Sequence, residues 1–141
     1  MFSFNKKNKI GFTCGTMDLM HVGHVLMLEE CKTHCDYLIV GLQNDPSIER
    51  LKNKPIQSIT ERYFQLKACK YVDEIIPYNT ESDLMEILQS INYEFRFIGE
   101  DWKGKEFTGH NLELHKEKII FTKRDHSFSS SNLRKRIKKN T

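Results

Sequence analysis

The chain has 141 residues, 38% of them hydrophobic and 29% charged, with a formal net charge of +3 at neutral pH. One domain is expected at this length, large enough to bury a core, and no apolar run approaches the roughly 18 residues that a membrane span needs. Residues 1–9 carry no apolar centre of a signal peptide, so the expected compartment is the cytoplasm. The four cysteines, Cys14, Cys31, Cys35 and Cys69, form no C-x-x-C pair, which argues against a disulfide framework. Cys31 and Cys35, one helical turn apart around His34, read as small buried side chains rather than metal ligands.

Residues 10–14 read as a short buried strand, and 24–35 as a helix with Val25, Leu28 and Cys31 on one stripe. Residues 37–42 are apolar without polar alternation, as in a parallel sheet covered on both faces. A short helix over 45–52 and a loop through Lys54-Pro55 follow. Ser58 and Glu61 stand at capping-box spacing and open a helix to about Cys69. After a third strand at 75–77, Thr80 and Asp83 repeat that spacing before a helix through Ser90, with Leu84, Ile87, Leu88 and Ile91 inside. Residues 95–99 and 119–122 are two more strands, and Ser130 or Ser131 caps a basic last helix over about 130–139.

Strands alternating with helices predict a single α/β domain over 1–141, a Rossmann-like, doubly wound parallel sheet of about five strands with right-handed crossovers. Ligands of such sheets bind beyond the carboxyl ends of the strands. Residues 15–24 follow the first strand, 99–105 the fourth and 124–131 the fifth. The basic tail, with Lys135, Arg136, Lys138 and Lys139, reads as a solvated helix face. Aromatic residues are not interleaved with it, and no nucleic-acid or membrane partner is expected.

The most informative stretch is His21-Val22-Gly23-His24, reached through Thr13-Cys14-Gly15-Thr16-Met17-Asp18. Two imidazoles three residues apart share one face if a helix starts near His21. Helix N-termini attract anions, and Gly23 removes a side chain where a phosphate would approach the backbone. A zinc motif of the H-E-x-x-H type has different spacing and a glutamate, and neither is present. The pattern suits phosphate handling.

Gly15-Thr16-Met17-Asp18-Leu19-Met20-His21-Val22-Gly23-His24 resembles the signature of the cytidylyltransferase branch of the nucleotidyltransferases. Ser129-Ser130-Ser131-Asn132-Leu133-Arg134 resembles that family's second signature, a hydroxyl-rich turn opening the last helix. Arg62, Tyr71-Val72-Asp73-Glu74-Ile75-Ile76-Pro77 and Gly99-Glu100-Asp101-Trp102-Lys103-Gly104-Lys105 are similar to glycerol-3-phosphate cytidylyltransferases. The resemblance implies transfer of CMP from CTP to a small phosphorylated alcohol with release of pyrophosphate. It also implies Mg2+ carried by the triphosphate rather than by a protein cage, and a homodimer. An adenylyltransferase of the same fold, acting on a sugar phosphate or on a flavin or nicotinamide nucleotide, is the alternative. A non-catalytic nucleotide-binding module is the alternative from another class.

On this resemblance His21, His24, Lys52 and Arg124 are the catalytic candidates, with Lys54 competing with Lys52 for the phosphates. Gly15, Thr16, Asp18, Gly23, Arg62, Glu100, Asp101, Ser129 and Ser130 are the candidates for binding the nucleotide. Thr16 reads as a phosphate ligand or a helix N-cap, and Asp18 as a group that orients its neighbours or, preferably, a helix cap. Arg62 holds a phosphate, a neighbouring subunit or a surface salt bridge. Trp102 reads as core. The sequence departs from the family at Met17, where phenylalanine is usual, and at Asp125-His126-Ser127, where Thr-x-Gly is usual. Asp125 is thereby expected to touch a hydroxyl or ammonium group of the acceptor.

Overall fold

A computed structural model describes residues 8–112 and 118–141, so the signal-peptide reading of residues 1–9 falls largely outside the described residues. Five strands, β1 (Ile10–Gly15), β2 (Tyr37–Gln43), β3 (Glu74–Tyr78), β4 (Phe95–Gly99) and β5 (Ile119–Thr122), form one parallel sheet in the order β3-β2-β1-β4-β5. The chain winds outward from β1 to β3 and then returns to lay β4 on the other side of β1. The order therefore reverses between β1 and β4, where a doubly wound sheet opens its ligand crevice.

Four α-helices cover the sheet among the described residues: α1 (Val22–His34), α2 (Ile59–Lys67), α3 (Glu81–Ser90) and α4 (Ser130–Lys139). Leu28, Cys31, Leu38, Val40, Leu42, Leu66 and Phe97 bury one apolar cluster with α1 and α2, and Phe12, Ile39, Tyr78, Leu84, Leu88 and Tyr93 another with α3. Leu38, Val40 and Leu42 of β2 face the first cluster and Ile39 the second, which explains its unbroken apolar run. Burial also pushes the Cys31 thiol well above its ordinary range, as expected of a small core side chain.

Capping decides the helix starts. Ser58 Oγ accepts from Glu61 N–H while Glu61 accepts from Ser58 N–H, and Thr80 and Asp83 do the same for α3. Ser129, not Ser130 or Ser131, caps α4, its Oγ accepting from Asn132 N–H at 3.0 Å. The helix expected over 45–52 is a single 3-10 turn, Pro46–Ile48, whose cap is Asp45. Ile48 and Leu51 stay exposed, so this segment has no apolar stripe to anchor a longer helix. No helix among the described residues is long and apolar enough to cross a membrane.

Candidate active site

His21 is the N-cap of α1 rather than a member of its first turn. Its Nδ1 accepts from Gly23 N–H at 3.0 Å, and its own N–H donates to His24 Nδ1 at 3.2 Å. The two rings lie 4.1 Å apart between centroids. Because both Nδ1 atoms accept backbone N–H groups, the imidazole protons reside on Nε2. His24 is pushed down to about 4 by burial and by the neighbouring His21. Burial lowers His21 too, aided by His126 and Arg124. The pair is thus neutral at physiological pH and donates through Nε2. His21 Nε2 lies 3.3 Å from Ser130 Oγ, which donates in turn to the Asp18 carbonyl.

The β1–α1 loop that carries this pair holds Met17 and Leu19 at φ +52° and +51°, a region side chains seldom adopt. Its neighbours hold it there. Asp18, 5% exposed, accepts from Ile56 and Gln57 N–H at 2.9 Å each and pairs with Arg134 at 2.7 Å. Burial alone would raise its carboxyl, yet the two backbone donors and Arg134 bring it below the usual carboxylate range. Asp18 therefore links three segments and caps no helix, contrary to the preferred reading of it.

Arg62 is likewise corrected. It is 2% exposed, and its guanidinium donates to the carbonyls of Gln57, Thr16, Gln43 and Asn44 over 2.5 to 3.1 Å. It supports the loop from beneath instead of facing phosphate, a subunit or solvent. Gly23 also differs from expectation. A Cβ there would stand 2.7 Å from His21 Cε1, 2.9 Å from the Phe128 carbonyl oxygen and 3.0 Å from His126 Cε1. The space left by its missing side chain is filled by the chain before α4, not kept open for a ligand. The N–H of Gly23 is occupied by His21, so the anion-attracting helix end facing the cleft is that of α4.

Two clefts open at the carboxyl edge of the sheet. The first, about 760 Å³, is lined by Thr16, Asp18, His24, Ser130, Ser131 and Arg134 on one side and by Arg50 and Lys52 on the other. The second, about 930 Å³, lies on the α3 side and includes Gly15, Gly99 and Trp102. Thr16, Arg50 and Lys52 line both, whereas Lys54 lines neither. Burial and Arg50 together lower the Lys52 ammonium. Thr16 is not the helix N-cap, and Trp102 is 37% exposed, outside the core. Arg124 is paired with both acidic candidates: Glu100 accepts from its N–H at 2.9 Å and Asp101 from its guanidinium at 2.8 Å. Asp125 is exposed.

Arg50 was not singled out by sequence, and Arg134 was named only as the last residue of the second signature, with no role in the site. Arg134 sits four residues after Ser130, hence on the same helix face, and that spacing was its signal.

A family model described as cytidylyltransferase-like matches residues 12–136. The chain belongs to the cytidylyltransferase-like family. Among curated relatives of this family member, the bifunctional protein HldE of Campylobacter jejuni (strain RM1221) is 36% identical over 132 residues, covering 92% of this chain and 28% of the relative. That of Aliarcobacter butzleri (strain RM4018) is 34% identical over 140 residues, covering 96% and 28%. The chain thus spans little more than a quarter of the length of these relatives. Among solved structures, the lipopolysaccharide core biosynthesis protein from Thermoplasma volcanium GSS1 superposes with a TM-score of 0.68 at 23% identity, covering 84% of this chain and 100% of that one. Pantoate-beta-alanine ligase from Francisella tularensis gives 0.61 at 19%, covering 94% and 67%. At such identities the likeness is one of fold, the parallel α/β sheet.

The first cleft gathers groups that suit polyphosphate oxygens: the neutral His24 imidazole, serine hydroxyls at a helix N-terminus, and the cations of Arg50, Lys52 and Arg134, while His21 does not line it and meets Ser130 beside it. The nearby carboxylates are already engaged, Asp18 by Arg134 and Asp101 by Arg124. Such a donor set fits a magnesium ion brought in on triphosphate oxygens better than one held by protein ligands.

Proposed function

We propose that the chain transfers an adenylyl group from ATP to a sugar phosphate, releasing pyrophosphate. Membership of the family supports nucleotidyl transfer. The choice of ATP and a sugar phosphate over CTP and glycerol 3-phosphate is supported by the similarity to bifunctional HldE proteins over nine-tenths of the chain. An acceptor phosphate with a second pKa of about 6 is largely dianionic at neutral pH and needs no general base. One of its oxygens forms a bond to the α-phosphorus while the bond to the bridging α–β oxygen breaks, and the electron pair leaves with pyrophosphate. The protein's task is positioning and charge stabilisation.

The observation that carries this reading is the neutral His21–His24 pair, whose tautomer is set by the α1 cap and whose cleft ends on the α4 N-terminus. His24 and His21 donate to phosphate oxygens as charge grows on the leaving group. Lys52, at the wall between the clefts, meets the acceptor phosphate and the α-phosphate together. Ser130 and Thr16 complete the triphosphate cradle, Ser129 fixes the α4 start beside it, and Arg124 with its partners Glu100 and Asp101 lines neither cleft and would have to turn toward the ligand to meet it. A magnesium ion brought in by the triphosphate would supply charge neutralisation there. A homodimer in the cytoplasm completes the reading, and light scattering would give its mass.

The test is a pyrophosphate-release screen crossing ATP, CTP, GTP and UTP with sugar 1-phosphates, glycerol 3-phosphate and phosphoethanolamine. ATP with a sugar 1-phosphate should give the highest kcat/KM. A higher value for CTP with glycerol 3-phosphate would overturn the adenylyl reading, and no turnover with any pair would overturn transfer itself.

A further inference from the structure

Arg96 is a charged residue, second of five in the otherwise apolar β4, and it is 3% exposed. On β4 it stands between Phe12 of β1 and Ile119 of β5, and it lines the second cleft. One guanidinium nitrogen donates to the Thr108 carbonyl, and the group lies 5.3 Å from the centroid of the Phe107 ring. Among the described residues no carboxylate reaches ion-pair distance, and Nε has no hydrogen-bond partner. Burying a guanidinium with an unmet N–H and, among the described residues, no counter-ion is costly.

The surroundings say what would complete it. Glu81, at the start of α3, receives Arg50 on Oε1 at 2.8 Å and Thr108 Oγ1 on Oε2 at 2.8 Å. This part of the cleft thus offers guanidinium donors beside carboxylate and hydroxyl oxygens. An anion would meet Glu81 and Glu106, which share the lining. A hydroxyl both donates and accepts, and suits such a mixture. The wall shared with the first cleft instead offers Lys52 and Thr16. Arg96 lies three residues before the end of β4, so its Cα is about 10 Å below the sheet edge.

We propose that Arg96 is a specificity-determining residue that reads the hydroxyls of a sugar-sized acceptor whose phosphate is held at Lys52. This rests on the sugar-phosphate reading of the site. A three-carbon ester anchored at the same wall leaves most of a cavity of about 930 Å³ unfilled. Discrimination between acceptors then comes from the far end of the cleft, away from the reacting phosphorus.

The experiment compares kcat/KM for five-, six- and seven-carbon sugar 1-phosphates with that for glycerol 3-phosphate, in wild type, Arg96→Met and Glu81→Gln. The wild type should favour a sugar 1-phosphate, and Arg96→Met should lower that preference about 10- to 100-fold, chiefly through the sugar's KM. Glu81→Gln should lower it in the same direction, and stands in for Arg96→Met if that buried change prevents folding by circular dichroism. A folded Arg96→Met with wild-type preference overturns the proposal, as does Glu81→Gln with wild-type preference where Arg96→Met does not fold. Failure of the wild type to use any sugar phosphate overturns the sugar-phosphate reading itself, which separates the two failures.

Discussion

Lowering the pH should destabilise this protein through His24 in a calculable way. Its imidazole is pushed down to about 4, first by burial and then by His21, whereas in an unfolded chain the same group titrates near 6.5. As pH falls, the unfolded state takes up the proton first. The His24 contribution is therefore intact above about pH 6.5 and declines until about pH 4, where the folded state is protonated as well. At about 1.4 kcal/mol per pH unit, discounted for partial solvent exposure, the loss is about 2–3 kcal/mol. Urea denaturation across this range would measure it, with His24→Asn as the reference. An asparagine Oδ1 can accept the His21 N–H in place of Nδ1 but takes up no proton. The wild type should lose about 2–3 kcal/mol more than the variant between pH 7 and pH 4. Parallel losses would refute a buried neutral His24, and with it the assignment of Nε2 as a neutral donor.

Gly23→Ala should cost about 1–3 kcal/mol in thermal denaturation, because the backbone oxygen of Phe128, 2.9 Å from the new Cβ, cannot swing aside as a side chain would. Arg62→Met removes the partner of four carbonyls and should cost about 3–5 kcal/mol in urea; a variant of wild-type stability but weakened nucleotide binding would restore the phosphate role. Asp18→Asn should cost about 2–3 kcal/mol near neutral pH. Its carboxyl is held below the usual carboxylate range, so the difference from wild type in denaturation should persist above about pH 4 and shrink as pH falls further. His21→Ala should lower kcat by about 10²- to 10³-fold while circular dichroism reports a folded chain.

What the sequence disclosed was local. The capping boxes at Ser58–Glu61 and Thr80–Asp83 are signals within four residues, and both helices start where those residues say. The bounds of β4, β5 and α4 were equally legible, since apolar runs and a serine turn mark them. The reading over 45–52 failed because propensity without an apolar face does not sustain a helix. Arg62 was opaque for a different reason. Its partners are carbonyls on three segments, and no side-chain pattern records where a backbone oxygen will point. Asp18 and Arg134, 116 positions apart, meet only once the sheet has brought the β1–α1 loop to the start of α4. Arg96 did leave a mark, a charge inside a strand buried on both faces, and its meaning lay in the cavity rather than in the strand.

The structural and functional roles of His21 and His24 are not alternatives. The α2 and α3 starts show that serine with glutamate, or threonine with aspartate, satisfies the same orphan N–H groups. A cap alone therefore does not call for imidazole. What imidazole adds is a second nitrogen beyond the one that caps. With Nδ1 committed to backbone N–H, the proton is fixed on Nε2, and the helix start sets both the ring's orientation and its tautomer. In His21 that nitrogen meets Ser130 at the start of α4, and His24 lines the adjoining cleft. Burial then keeps His24 neutral, so it remains a donor of one fixed proton instead of a group that titrates near physiological pH. A charged imidazole would bind triphosphate more strongly in the ground state. On the adenylyl-transfer proposal, a neutral one held by its cap would donate to the charge that develops as pyrophosphate leaves without adding as much ground-state affinity.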